Sequence, residues 1–202
     1  MSEDISNTIL SLYQNNSDLF ARKRSYSLFE KAWLDKFLSV INKGGKILDI
    51  GCGTGQPIAQ YFIRQSFSIT GIDGASNMLE RAIKQFPEQC WLLRDMRELQ
   101  LNDTFDGVIA WDSFFHLSQE AQRNMFPIFA AHSRVGSVLM FTSGPAHGIA
   151  IGKFAGKPLF HASLAPEEYR ELLDKNKFNV IEMVSEDPAC QGHTIWLAKK
   201  RG

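Results

Sequence analysis

Apolar residues recur along this chain with two periods. At helical spacing they fall at Ile5, Ile9, Leu12 and Tyr13, and again from about Leu28 to Ile41 through Phe29, Trp33, Phe37 and Leu38, predicting two helices ahead of the first strand. Between them Asn15-Asn16-Ser17-Asp18 reads as a turn-rich break, followed by Phe20 and the basic run Arg22-Lys23-Arg24. Short apolar runs at Lys46–Ile50, Ser66–Ile72, Cys90–Leu93, Phe105–Ala110 and Ser137–Thr142 predict strands. Amphipathic stretches over Pro57–Arg64, Ala75–Phe86 and the segment after Ser118 predict helices between them, with Pro127 expected to kink or break the last. Strand alternating with helix is the pattern of an α/β chain built on a parallel sheet. Residues 144–163 depart from the alternation and read as an inserted strand-loop-strand flap. A helix from Pro166 through Leu173 and strands at Phe178–Val184 and His193–Ala198 complete the chain.

Composition narrows the classes. The 202 residues suffice for one substantial core, and no shift in composition divides them, so a single domain spanning 1–202 is expected. Twenty-two basic residues balance 22 acidic ones, which argues against a general affinity for nucleic acid or an anionic membrane. With no leader-like start and no long apolar run, a cytoplasmic protein is the simplest expectation. Cys52, Cys90 and Cys190 are odd in number and lack ligand spacing, so neither a disulfide framework nor a bound metal is expected.

The chemistry concentrates after the first strand. Ile47-Leu48-Asp49-Ile50 runs into Gly51-Cys52-Gly53-Thr54-Gly55, a strand closed by an acid and then by alternate glycines that let the backbone turn and a ligand approach. The spacing is Gly-x-Gly-x-Gly, and Gln56 stands where a dinucleotide fingerprint needs a small residue. Asp73 closes the second strand in Gly71-Ile72-Asp73-Gly74, a place from which a carboxylate can accept both ribose hydroxyls of a nucleotide. Asp95 and Met96 follow the third strand, and Trp111-Asp112-Ser113-Phe114-Phe115-His116 follows the fourth.

Together these motifs resemble the class I S-adenosylmethionine-dependent methyltransferases, in order and over nearly the whole chain. The pairing of Leu159-Phe160-His161-Ala162-Ser163 with Gly192-His193-Thr194-Ile195-Trp196-Leu197 is similar to a subgroup of small bacterial members with no assigned substrate. The resemblance implies a Rossmann-like sheet of seven strands, ordered 3-2-1-4-5-7-6 with the last strand antiparallel and helices on both faces. It implies S-adenosylmethionine as cofactor and S-adenosylhomocysteine as product, held by Asp49, Gly51, Cys52, Gly53, Gly55, Asp73, Gly74, Met78, Asp95, Met96 and Trp111. Residues 1–43 would fold over that cofactor. Ala75 departs from the serine usual in the family and removes a hydroxyl cap from the next helix.

For the acceptor side, Tyr13, Phe20, Phe114, Phe115 and His161 are candidate contacts, and His116, with Asp112 or His193, is a candidate base. Each has a plainer reading: Asp112 as a helix cap, the histidines as packed or solvent-facing rings, Met78 and the aromatics as core. The Asp/Asn-Pro-Pro-aromatic tetrad of amino-directed nucleic-acid methyltransferases is replaced by Trp111-Asp112-Ser113-Phe114, which argues against a nucleic-acid acceptor. A small-molecule methyltransferase, acting as monomer or homodimer, is the leading expectation. A methyltransferase for a protein or RNA partner and a non-catalytic S-adenosylmethionine-binding module stay open.

Overall fold

The computed structural model describes residues 6, 8–24 and 27–202. Three helices lead: α1 (Ile9–Asn15), α2 (Ser17–Lys23) and α3 (Lys31–Ser39). Then β1 (Lys46–Ile50), α4 (Ile58–Arg64), β2 (Ser68–Asp73), α5 (Ser76–Gln85), β3 (Cys90–Leu93), β4 (Phe105–Ala110) and α6 (Gln119–Ala131) alternate. The chain ends with β5 (Ser133–Ser143), β6 (Gly148–Phe154), β7 (Lys157–Ser163), α7 (Pro166–Lys175), β8 (Phe178–Asp187) and β9 (His193–Lys200).

Seven strands form one sheet in the order β3-β2-β1-β4-β5-β9-β8. The pairs from β3 to β5 are parallel, and β9 runs antiparallel to both β5 and β8. With the hairpin strands β6 and β7 set aside, this is the expected order.

Successive residues of a strand point to opposite faces, and here both faces are buried. From β1, Leu48 and Ile50 enter a core with Phe129, Phe141, Tyr169 and Trp196, while Ile47 enters a second core with Phe37, Phe62 and Met140. Val108 and Ile109 of β4 divide in the same way. This double burial is why the central strands read as unbroken apolar runs.

Three expectations need correction. Ser17 and Asp18 do not extend a turn but open α2; the break shrinks to Asn16, whose side chain donates to the Leu12 carbonyl at 2.8 Å, and Asp18 sits favourably in the first turn. Pro127 does not end α6, which runs unbroken because Met125, Phe126 and Phe129 fix its inner face while the proline faces solvent. Strand β5 starts at Ser133, drawn in by pairing with Phe105 before a register shift. Ile5, expected to begin the first helix, lies outside the described residues.

Residues 144–163 do contain a strand-loop-strand. β6 and β7 form a separate antiparallel pair closed by Ala155 and Gly156, both at positive φ (51° and 75°), the geometry of a two-residue hairpin turn. Gln122 donates to the Ala162 carbonyl at 2.8 Å, tying this hairpin to α6.

Candidate active site

Strand order reverses between β1 and β4, and a cavity of about 510 Å³ opens beyond the carboxyl ends of the strands there, within the range of ligand pockets. Its floor follows the strand order. Asp95 and Met96 come from the end of β3, Asp73 and Gly74 from β2, Asp49, Gly51, Cys52 and Gly53 from β1, and Trp111 and Asp112 from β4. Met78 of α5, Tyr13 of α1, Phe20 of α2, Phe115, His116, His161 and His193 complete the expected set.

Two expected residues are elsewhere. Phe114 is fully buried among Phe126, Phe129, Phe141 and Tyr169, because the short 3-10 turn Phe114–His116 points its first ring into the core and Phe115 and His116 to the cavity. Gly55 faces the other way, with Trp91 3.0 Å from where a Cβ would stand. Of the flap histidines, His147 lies off the cavity at 3.0 Å from the Gln119 side chain. Lining residues to which sequence gave no site role include Arg94, Arg97, Ser113 and Leu159, while Arg24 of the basic run and Gln56 after the glycines also line it.

The glycine loop is held from below. The N–H groups of Gly51 and Cys52 both donate to the Ile72 carbonyl at 2.8 and 2.9 Å, and the Ser113 hydroxyl donates to the Ile50 carbonyl at 2.6 Å. Gly51 has φ +77°, and a Cβ there would stand 2.3 Å from that of Ser113, so glycine is required on both counts. Above Gly53 lies the Phe20 ring, 3.6 Å from where a Cβ would be.

Asp73 accepts from the backbone N–H of Gly53 at 2.9 Å and of Ala75 at 2.8 Å. Burial raises its pKa, against these bonds. Asp49 is almost wholly buried, and burial together with the charge of Asp73 pushes its pKa up to about 7. Burial and the two carboxylates also hold the Cys52 thiol well above its ordinary range, so it is no nucleophile. Burial acts upward on Asp95 too, but two-pronged contact with Arg97, at 2.5 to 3.0 Å, outweighs it and holds the pKa below the usual value.

Asp112 lies beyond β4 at φ +49°, its N–H donating to Thr142 Oγ1 at 2.9 Å. His193 bridges two acceptors: its Nε2 is 3.0 Å from Asp112 Oδ1 and its Nδ1 is 2.7 Å from the Cys190 carbonyl. Both nitrogens therefore carry protons, and the bond to Asp112 raises the pKa. Trp111 stacks on this ring with centroids 5.6 Å apart, a placement that favours a cation.

His116 is the opposite case. Its Nδ1–H donates to the Phe160 carbonyl at 2.8 Å, which leaves Nε2 to accept from the Tyr13 hydroxyl at 2.9 Å. Burial lowers its pKa to about 4.

The roof is aromatic. Tyr13, Phe20 and Phe154 meet pairwise with centroids 5.6 to 6.4 Å apart, joining α1 and α2 to the end of β6.

A floor of carboxylates under an open glycine cradle suits a ligand with ribose hydroxyls and positive charge. A buried acid, Asp49, and a partly buried one, Asp73, both with raised pKa values, gain from a nearby cation, whereas a dinucleotide's pyrophosphate would add two negative charges beside them. Among the described residues no cluster of His, Cys, Asp or Glu has the arrangement of a metal site. None of the described helices is long and apolar enough to cross a membrane.

A family model described as a methyltransferase domain matches residues 47–136, from β1 into the start of β5. An O-methyltransferase of Pyrenophora dematioidea is 29% identical over 162 residues, which is 73% of this chain and 61% of that protein. The chain thus spans less than two thirds of that curated relative's length. The DhpI–SAH complex superposes with a TM-score of 0.76 at 15% identity, covering 100% of this chain and 99% of that one. CalS10, an amino pentose methyltransferase of Micromonospora echinaspora bound to SAM, superposes with a TM-score of 0.71 at 17% identity, covering 92% of this chain and 96% of that one.

Proposed function

We propose, from the premise that this chain is a class I S-adenosylmethionine-dependent methyltransferase, that it moves the cofactor's methyl group to a small-molecule acceptor. The observation that carries this is the row of Asp95, Asp73 and Asp49 at the ends of adjacent strands, facing one cavity beside the Gly51–Gly53 loop. S-adenosylmethionine supplies a methyl carbon already made electrophilic by its sulfonium.

The chain's own residues then bind and orient. Asp73 accepts backbone N–H groups of Gly53 on one oxygen and Ala75 on the other, and its carboxylate has acceptor capacity left for ribose hydroxyls. Asp95, Met96 and Met78 form the adenine end, with Arg97 steadying the Asp95 carboxylate. Gly51, Cys52, Gly53, Gly74 and Asp49 take the centre, and Trp111 walls the sulfonium. Residues 1–43 and 144–163 act as cover within one domain. Tyr13, Phe20, Phe115 and His161 exclude water from the acceptor and hold it in line, which is most of what methyl transfer from a sulfonium demands.

A small acceptor is favoured because aromatic side chains of α1, α2 and the hairpin meet over the cavity. The relative named O-methyltransferase supports the same reading. A cytoplasmic location accords with three free thiols, Cys52, Cys90 and Cys190.

Calorimetry is the test. S-adenosylhomocysteine binds and NAD does not, and Asp73→Ala weakens binding about 10- to 100-fold, as loss of charge-assisted hydrogen bonds of 1.5–3 kcal/mol implies. NAD binding alone would reject the reading, and unchanged affinity in the variant would move the ribose away from Asp73.

A further inference from the structure

Three histidines line the cavity, and their hydrogen bonds separate them. The His193 ring is fixed between Asp112 and the Cys190 carbonyl with both nitrogens protonated, and so has no lone pair to offer. The His116 ring spends its one lone pair on the Tyr13 hydroxyl. His161 has neither commitment. It projects from β7, packs edge-on against Phe115 with centroids 4.9 Å apart and beside His116 at 5.0 Å, and has no hydrogen-bond partner for either nitrogen among the described residues.

The charges around it restrict what it can meet. The arginines that line the cavity are Arg24, Arg94 and Arg97. Arg24 is paired with the fully buried Glu30 at 2.6 Å, and Arg97 with Asp95. Arg94 follows β3, at the far side of the floor from the hairpin. The carboxylate nearest the histidines, Asp112, is taken by His193. Among the described residues that line this end, an anionic acceptor finds no unpaired cation and an ammonium acceptor no unpaired carboxylate. The walls there are Tyr13, Phe115, His116, Leu117 and Leu159.

We infer that the acceptor is a neutral phenolic compound and that His161 is the group that takes its proton. This rests on the methyltransferase reading above. As the phenolic oxygen forms its bond to the methyl carbon and the carbon–sulfur bond breaks, the hydroxyl proton passes to a ring nitrogen of His161. The products are the methyl ether, the neutral thioether and an imidazolium, which releases its proton to solvent at the partly exposed edge of the ring.

The groups facing His161 are Asp112 beyond β4, His116 and Phe115 of the 3-10 turn, and, through His116, Tyr13 of α1. Burial lowers its pKa and Asp112 acts the other way, so the ring is neutral at pH 7 and able to accept. A phenol, with a pKa of about 10 like a tyrosine side chain, is within reach of an imidazole base; an aliphatic alcohol, far less acidic and close to water, is not.

The experiment measures methyl transfer from labelled S-adenosylmethionine to mono- and dihydroxybenzenes of graded acidity, 4-nitrophenol among them, beside aliphatic alcohols, benzoate and benzylamine. Phenols are methylated, and His161→Gln lowers kcat about 10²- to 10³-fold with KM changed less than about threefold. That loss shrinks towards nothing on 4-nitrophenol, which ionises without help, and the variant's pH–rate profile lacks the limb that rises with loss of the imidazole proton. Independently of turnover, ¹⁵N imidazole spectra show His161 neutral at pH 7 and shifted when a phenol joins the S-adenosylhomocysteine complex. Equal losses on every phenol, an active variant, or methylation confined to benzoate or benzylamine overturns the inference. S-adenosylhomocysteine binding without methylation of any phenol overturns it while leaving the methyltransferase reading standing; absence of that binding removes both.

Discussion

Asp49 sits under the glycine loop with burial and Asp73 raising its pKa to about 7. The unfolded chain gives up this proton near pH 4, whereas the folded chain keeps it until about 7. Stability from this group is complete below pH 4 and drains as pH rises through 7. Ligand-free Asp49→Asn, which has no proton to lose, therefore gains on the wild type across that window. The gap in unfolding free energy from denaturant melts widens by about 2–4 kcal/mol between pH 4 and 7 and then levels. Parallel curves for the two proteins would show that Asp49 is not electrostatically stressed. The residue was legible in the sequence as the acid of Ile47-Leu48-Asp49-Ile50-Gly51, as was Asp73, because each is fixed by its own strand end. Asp112 and His193 were legible singly but not as a pair. Their contact spans 81 residues, and the roles of acid, base or fixed cation are set only by that contact and by the Cys190 carbonyl. Phe114 and Phe115 look alike in sequence, and only the phase of a single 3-10 turn decides which ring enters the core.

At the scale of elements, the hairpin and the leading helices depend on each other. Phe154 reaches Tyr13 at 5.6 Å and Phe20 at 6.4 Å between ring centroids. Each such pair contributes about 0.5–1.5 kcal/mol beyond area burial. Phe154→Ala loosens the docking of α1, α2 and the hairpin, so amide exchange in those segments quickens about 5- to 30-fold while global melting moves little. Exchange in α1 unaltered by the variant would mean that other contacts carry the roof. In the sheet β4 falls at Phe105–Ala110 as the apolar run predicts, whereas β5 and β8 run several residues longer than their apolar runs. Elements outside it were less legible. α2 is a seven-residue helix whose polar residues suit a turn equally well, and α6 tolerates Pro127 because buried neighbours on both sides hold the helix where local propensity would end it.

Over the whole molecule, protection against exchange grades from the middle of the sheet outwards. β1 and β4 are hydrogen-bonded on both sides and buried on both faces, whereas β6 and β7 form a two-stranded pair. Saturation with S-adenosylhomocysteine slows exchange in α1, α2 and the hairpin most, because those segments roof the cavity and open at least cost. Uniform slowing across all elements would contradict a roof that moves apart from the sheet. The topology was legible because alternating strands and helices, followed by two closing strands, admit few arrangements. The roof was not, since Phe154 pairs with rings more than 130 positions earlier and no local pattern announces a partner that distant.

The three rings also impose an order on synthesis. Tyr13 and Phe20 leave the ribosome long before Phe154, so a growing chain that has completed β1 to β4 presents its acidic floor as an uncovered trough. The aromatic cover over that trough is complete only once residue 163 has emerged and the hairpin has folded back onto Tyr13 and Phe20.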